Sequence, residues 1–193
     1  KTPDISSADS ALQDRILAGH HAILNQVKYF RNNFGSAESR WKKDGTRVTI
    51  VDETISHQLF TQLEKDFSND DFCSEEGAET IEPIPTESEF CWVLDPVDGT
   101  NNYAVGVPEC CISLGLLRHG MPVYGFIYDY GRDNLLQGGK EFGSVEGTKP
   151  VHAATNLVNE KLTFCMHFPI PSQSLNDLSG ALGTWRIRCP GSA

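Results

Sequence analysis

The sequence predicts an α/β protein in which helices cover a mixed or largely antiparallel sheet. Four observations predict it. Apolar residues recur at helical spacing in the first third of the chain, and short apolar runs succeed one another from Phe90 onward. Two of those runs flank a tight turn, as in a hairpin, and no repeating strand-helix-strand array is present.

The first element is a helix. Leu12, Ile16, Ile23, Val27, Phe30 and Phe34 recur at intervals of three, four and seven, which predicts a helix over about residues 8–34, capped by Ser7 or Ser10 and ended by Gly35. His20 and His21 in this helix read as packing or surface residues. Trp41 to Thr46 reads as a loop with a turn at Asp44-Gly45, followed by a short β-like run, Val48 to Val51. Ile55, Leu59 and Leu63, spaced by four, predict a second helix over about 52–66. A short strand is expected near Phe72, and the Glu-, Pro- and Thr-rich stretch Gly77 to Glu89 reads as an exposed loop. Phe90 to Leu94, Cys111 to Leu117 and Val123 to Tyr128 read as strands, the last two joined through Arg118-His119-Gly120-Met121-Pro122. Gly138-Gly139 and Gly143 punctuate the stretch after Tyr128. Leu162 to Phe168 reads as a strand, Leu175 to Leu182 as a short helix and Trp185 to Arg188 as a final strand.

Composition narrows the function classes. The chain has 193 residues, 39% of them hydrophobic and 22% charged, which suits a buried core and argues against wholesale disorder. The formal net charge of −10 lacks the basic footprint of a nucleic-acid binder, and Arg40-Trp41-Lys42-Lys43 is too short to supply one. No run approaches the roughly 18 apolar residues of a membrane span, and Lys1 to Ser10 lacks a signal-peptide core. Six cysteines (Cys73, Cys91, Cys110, Cys111, Cys165, Cys189) show no Cys-x-x-Cys spacing. They read as reduced, buried thiols of a cytoplasmic protein, with zinc or disulfide pairing as the alternatives.

The chemistry concentrates in Trp92-Val93-Leu94-Asp95-Pro96-Val97-Asp98-Gly99-Thr100. Pro96 biases Asp95 toward extended backbone, so the strand can run up to the carboxylate, and Asp98-Gly99 then favours a turn. Two carboxylates leaving one strand end suit a hard divalent cation, to which a turn carbonyl could add an oxygen. N–H groups of Gly99, Thr100 and Asn101 could open a helix and meet phosphate oxygens. The same pattern also fits a turn whose aspartates merely cap a helix. A calcium-binding EF-hand loop is excluded, because Pro96 and Val97 break its alternation and its twelfth position would be Gly106 rather than Glu. Two further groups lie upstream. Ser74-Glu75-Glu76 comes after the expected strand near Phe72, and Asp52 comes after Val48-Thr49, where it would alone be read as a first-turn acid.

Taken together, these three groups resemble the inositol monophosphatase family of magnesium-dependent, lithium-sensitive phosphatases. Asp95-Pro96-Val97-Asp98-Gly99-Thr100 matches the family's Asp-Pro-x-Asp-Gly-Thr signature without a mismatch. Asn102-Tyr103 and Gly106-Val107-Pro108 resemble the inositol monophosphatase branch. Glu75-Glu76 is similar to its Gly-Glu-Glu element with Ser74 in place of Gly, and Val48-Thr49 with Asp52 is similar to its Val-Thr-x-x-Asp element. The resemblance runs from about residue 10 to 193.

The resemblance implies a fold of alternating helix and sheet layers, with an N-terminal metal-binding lobe over 1–150 and the start of a C-terminal lobe over 151–193. It implies Glu75, Asp95, Asp98 and the Val97 carbonyl as ligands of two or three Mg²⁺ ions. Asp52, Glu75 and Thr100 would be catalytic, Asp52 and Thr100 helping to deprotonate the attacking water. Gly99 and Thr100 would bind phosphate, and Gly191 and Ser192 would approach the organic alcohol. The implied substrate is a small phosphate monoester, inositol 1-phosphate first, with histidinol phosphate, fructose bisphosphate or phosphoadenosine phosphate as family alternatives. A non-catalytic metal-binding homologue remains a further alternative. A homodimer is implied, without nucleic-acid or membrane partners. The family's downstream Trp-Asp-x-Ala element is not in the sequence, so the protein is expected to continue beyond Ala193.

Overall fold

The computed structural model of the chain describes residues 3–43, 45–76, 87–152, 162–165, 172–182 and 185–188. Helix α1 (Ser10–Asn32) starts after Asp9, whose side chain accepts from the Leu12 N–H at 3.0 Å, so Asp9 and not Ser7 or Ser10 is the cap. Strands β1 (Ser39–Trp41) and β2 (Arg47–Thr49) form an antiparallel hairpin. Trp41, expected in a loop, instead ends β1. Helix α2 (Ile50–Asp66) begins directly after β2. Next come β3 (Asp71–Ser74), β4 (Phe90–Asp98), the six-residue helix α3 (Thr100–Val105), β5 (Cys111–Arg118) and β6 (Met121–Asp129). The chain goes on through β7 (Asn134–Gly139), β8 (Gly143–Glu146), β9 (Lys149–Val151), β10 (Leu162–Cys165), helix α4 (Ser172–Leu182) and β11 (Trp185–Arg188).

Strands β3 to β9 form one seven-stranded sheet in sequence order. The β3–β4 pair is parallel and every later neighbour is antiparallel, so the sheet is mixed and largely antiparallel, the class expected from the sequence. Strands β7, β8 and β9 are not predicted by the sequence, where their glycines read as punctuation. Those glycines belong to the pairing. A Cβ on Gly138 would lie 2.3 Å from the Gly143 carbonyl oxygen, so a side chain there would push the strands apart. Strands β10 and β11 pair in parallel with each other. Residues 77–86 of the expected acidic loop lie outside the described residues, as do the side chains of β10 and β11.

One face of the sheet carries the core. Phe90, Trp92 and Leu94 of β4, Ile112, Leu114 and Leu116 of β5, and Tyr124, Phe126 and Tyr128 of β6 alternate inward and are buried. Helices α1 and α2 cover them with Ile16, Ile23, Phe30, Ile55, Leu59 and Leu63, the helical positions picked out by spacing. Contact is close enough that a Cβ on Gly19 would stand 2.8 Å from the Phe126 ring. Under this layer, Arg15 donates to both carboxylate oxygens of buried Asp70 at 2.8 and 2.6 Å and stacks 3.9 Å from the centre of the Phe90 ring. The Trp92 indole N–H completes the network at 2.9 Å from Asp70. Among the described residues, no helix is long and apolar enough to cross a membrane. Cys73, Cys91 and Cys110 are free thiols, the last two buried, and Cys111 is buried as well. Cys189 and the side chain of Cys165 lie outside the described residues.

Candidate functional site

Three loop ends converge at the head of β4. Strand β4 continues through Pro96 to Asp98, and its ladder to β5 pairs Asp95 with Ser113 and Asp98 with Cys111, the register shifting between them. Gly99 then turns the chain with φ +82°, a left-handed conformation that glycine adopts freely. Helix α3 begins there, its Tyr103 N–H bonded to the Gly99 carbonyl at 2.9 Å. Tyr103 anchors this short helix. It is buried, stacks on Phe30 at 4.8 Å and donates its hydroxyl to the Phe30 carbonyl at 2.6 Å, tying α3 to the last turn of α1.

Asp52 arrives from α2. It is the third residue of that helix and forms a capping box with Thr49, taking the Thr49 N–H on Oδ2 at 2.9 Å. Its other oxygen, Oδ1, lies 3.1 Å from the Thr100 hydroxyl, which also donates to the Val97 carbonyl at 2.8 Å. Burial pushes the Asp52 carboxyl up to about 6. The Thr49 hydrogen bonds pull the other way, and the charge of Glu76 adds to the rise.

Asp95 is the most frustrated acid of the group. Its Oδ1 accepts from the Val97 N–H at 3.1 Å, which favours its charge. Burial, then the charge of Glu75 and a hydrogen bond with it, then the charge of Asp98, outweigh this and raise its pKa well above the carboxylate range. Glu75 lies just past β3, its N–H bonded to the Leu94 carbonyl at 3.1 Å. The Cys111 thiol lies 3.6 Å from Asp98 Oδ2. Lys42, from the β1–β2 hairpin, donates to Glu76 at 2.9 Å. Burial opposes its charge, but the hydrogen bond and charge of Glu76, with the charges of Glu75 and Asp52, hold its ammonium above the usual lysine range.

Of the residues singled out in the sequence, the structure brings together Asp52, Glu75, Asp95, Val97, Asp98, Gly99 and Thr100. Gly191 and Ser192 lie outside the described residues. Sequence reasoning named Glu76 beside Glu75 but gave it no role, and it missed Lys42, which carries no motif. A cavity of about 1070 Å³ opens beside the cluster and reaches it through Lys42, Ser74 and Glu76, with Trp41, His57 and Phe60 in its outer wall.

The donor chemistry suits a hard cation. Asp95 and its neighbours offer only oxygen atoms, and their mutual repulsion is what a divalent ion would relieve. Among the described residues, no three His, Cys, Asp or Glu side chains are already closed around one point that would hold a metal. The acids meet in pairs instead, Glu75 with Asp95 and Asp95 with Asp98.

A model of the inositol monophosphatase family matches residues 12–169. The chain belongs to the inositol monophosphatase family. Inositol monophosphatase 1 of Solanum lycopersicum is 32% identical over 108 residues, 56% of this chain and 40% of the relative. The fructose-1,6-bisphosphatase/inositol-1-monophosphatase of Aquifex aeolicus is 30% identical over 187 residues, 89% of this chain and 67% of the relative. The stretch matched thus spans from two-fifths to two-thirds of these relatives' length. A solved IMPase/NADP phosphatase complexed with Mg²⁺ and phosphate shares the fold, with a TM-score of 0.70 at 22% identity over 94% of this chain and 67% of that one.

Proposed function

We propose that the full-length protein is a Mg²⁺-dependent phosphomonoesterase acting on a small phosphate monoester, with inositol 1-phosphate as the first candidate. The observation that carries this reading is the meeting of two groups. A repelled carboxylate set, Glu75, Asp95 and Asp98, stands beside a buried acid, Asp52, bonded to the Thr100 hydroxyl. Glu75, Asp95, Asp98 and the Val97 carbonyl would hold two or three ions. When bound, Mg²⁺ would offset the double charge of the ester, acidify water and stabilise the departing alkoxide. The chain's own residues supply the rest. Thr100 would orient the attacking water and pass its proton to Asp52, whose carboxyl at about 6 is suited to a general base near neutral pH. The N–H groups of Gly99 and Thr100 would hold phosphate oxygens. Residues 1–150 would form the metal-binding lobe, with Gly191 and Ser192 on the alcohol side of the pocket and a homodimer as the assembly.

A second substrate has specific support. The Aquifex relative is named for both fructose 1,6-bisphosphate and inositol 1-phosphate, and it is matched over 89% of this chain. The test is phosphate release by the full-length protein from inositol 1-phosphate, fructose 1,6-bisphosphate and a wider panel of phosphomonoesters, with Mg²⁺ and with EDTA. Release that requires Mg²⁺ and is abolished by Asp98→Asn, with the fold intact, is expected. No release from any substrate would overturn the reading.

A further inference from the structure

Ser74 is the last residue of β3, where the Gly-Glu-Glu element that this segment resembles carries a glycine. A glycine could offer no side-chain atom there, and Ser74 offers one that is used. Its Oγ accepts the Glu76 N–H at 3.2 Å, closing a hydroxyl turn around Glu75. The same oxygen lies 2.9 Å from the hydroxyl of Ser56 on α2. Ser56 stands four residues, one helical turn, beyond Asp52. The hydroxyl pair therefore links the helix that carries Asp52 to the turn that carries Glu75.

That link falls where the sheet gives least support. Strand β3 is one edge of the seven-stranded sheet and, among the described residues, is paired only to β4. Glu75 is held on the β4 side by its N–H bond to Leu94. On the other side the polar ties among the described residues are Lys42 to Glu76 and Ser74 to Ser56, with Phe72 of β3 packed against Phe60 of α2 below them. The Lys42 tie runs through two long, flexible side chains. The serine pair is short, half-buried and set on α2, so it fixes position where the lysine chiefly supplies charge.

We propose that Ser56 and Ser74 are positioning residues that set Glu75 relative to Asp52 and thereby the affinity of the carboxylate cluster for Mg²⁺. This rests on Glu75 being a metal ligand. Groups that orient a ligand from behind typically account for about 10–100-fold in metal affinity.

The experiment is Mg²⁺ titration of the full-length protein by calorimetry, on Ser74→Ala, Ser56→Ala, the double variant, Ser74→Thr and Glu75→Gln, with the denaturation midpoint in EDTA measured alongside. Each single alanine variant is expected to raise the Mg²⁺ Kd about tenfold. The double variant should be no worse than Ser74→Ala, because that variant has already lost the Ser56 contact along with the Glu76 N–H bond. Ser74→Thr keeps a hydroxyl and should stay within about twofold of the parent, and the EDTA midpoint should hardly move. Ser56→Ala tests the contact from the helix side, so the inference does not depend on Ser74→Ala folding. If Glu75→Gln weakens Mg²⁺ binding while the serine variants leave it unchanged, the inference falls and the ligand role stands. Additive losses from the two serines would also overturn it. If Glu75→Gln leaves binding unchanged, both fall.

Discussion

Asp52→Asn separates the structural role of this acid from its chemistry. The asparagine fits the same contacts. Its oxygen can take the Thr49 N–H that Oδ2 now accepts at 2.9 Å, and its amide can donate to Thr100 Oγ1, 3.1 Å away, leaving the Thr100 hydroxyl for the Val97 carbonyl at 2.8 Å. What is removed is a buried charge. A carboxyl raised from 3.8 to about 6 corresponds to about 3 kcal/mol against the folded state once both states are ionised. The direction of the shift sets the sign. Between these values the folded chain keeps a proton that the unfolded chain has released, so this group favours folding at low pH. That advantage is lost as pH rises through about 6. In EDTA at pH 7, Asp52→Asn should therefore be more stable than the parent by about 1–3 kcal/mol, a rise in Tm on the order of 5 °C. The gain should shrink as pH falls and vanish below about pH 4. Guanidinium denaturation from pH 4 to 8 measures it. If Asp52 is the general base, phosphate release should drop by about 10²–10⁴-fold in the same variant. A variant less stable than the parent at pH 7, or a stability difference that ignores pH, would refute the reasoning.

Two further outcomes are expected. Because the Asp95 carboxyl is raised by burial and by Glu75 and Asp98, and because metal binding needs ionised ligands, added Mg²⁺ should raise the Tm more at pH 8 than at pH 5; scanning calorimetry at both pH values checks this, and an equal rise would contradict the assignment. Tyr103→Phe should cost about 1–3 kcal/mol in denaturant unfolding, since it strands the buried Phe30 carbonyl near the end of α1. The same variant should weaken Mg²⁺ binding if α3 must stay docked to hold Gly99 and Thr100.

What could be read from the sequence was local. The spacing of Leu12, Ile16 and Ile23, and of Ile55, Leu59 and Leu63, gave both long helices because each buries a stripe defined within its own segment. The Asp95 to Thr100 segment was legible for the same reason. Strand, proline, turn glycine and helix start are written consecutively, and the structure keeps them in that order. Strands β7 to β9 were not legible. Gly138 and Gly139 lower β propensity, and only the approach of Gly143 and Val123 from other strands shows why side chains are excluded there. Lys42 and Ser56 were hidden by distance along the chain. Lys42 meets Glu76 across 34 residues and Ser56 meets Ser74 across 18, and neither contact leaves a spacing to find. Asp9 took the cap expected of Ser7 or Ser10 because position, one residue before the first helical turn, decides among residues of similar capping strength.

The sequence offered two readings of Asp52, a first-turn acid or a member of a reaction site, and the geometry leaves room for both. A carboxylate has two oxygens, and here they face different ways. Oδ2 is spent on Thr49, in the capping box that starts α2. Oδ1 is left pointing at Thr100, across the gap between α2 and the end of β4. The cap is therefore what aims the free oxygen, and the burial that makes the aim rigid is also what raises the carboxyl to about 6. A more exposed acid at the same position would cap the helix equally well at lower cost, but it would be neither fixed nor shifted. On this view the capping box is the part of the site that could be tested first. Thr49→Ala would keep the backbone N–H that Oδ2 accepts but remove the Thr49 hydroxyl from it, and should loosen Asp52, whereas a change on the Thr100 side would leave the helix start intact.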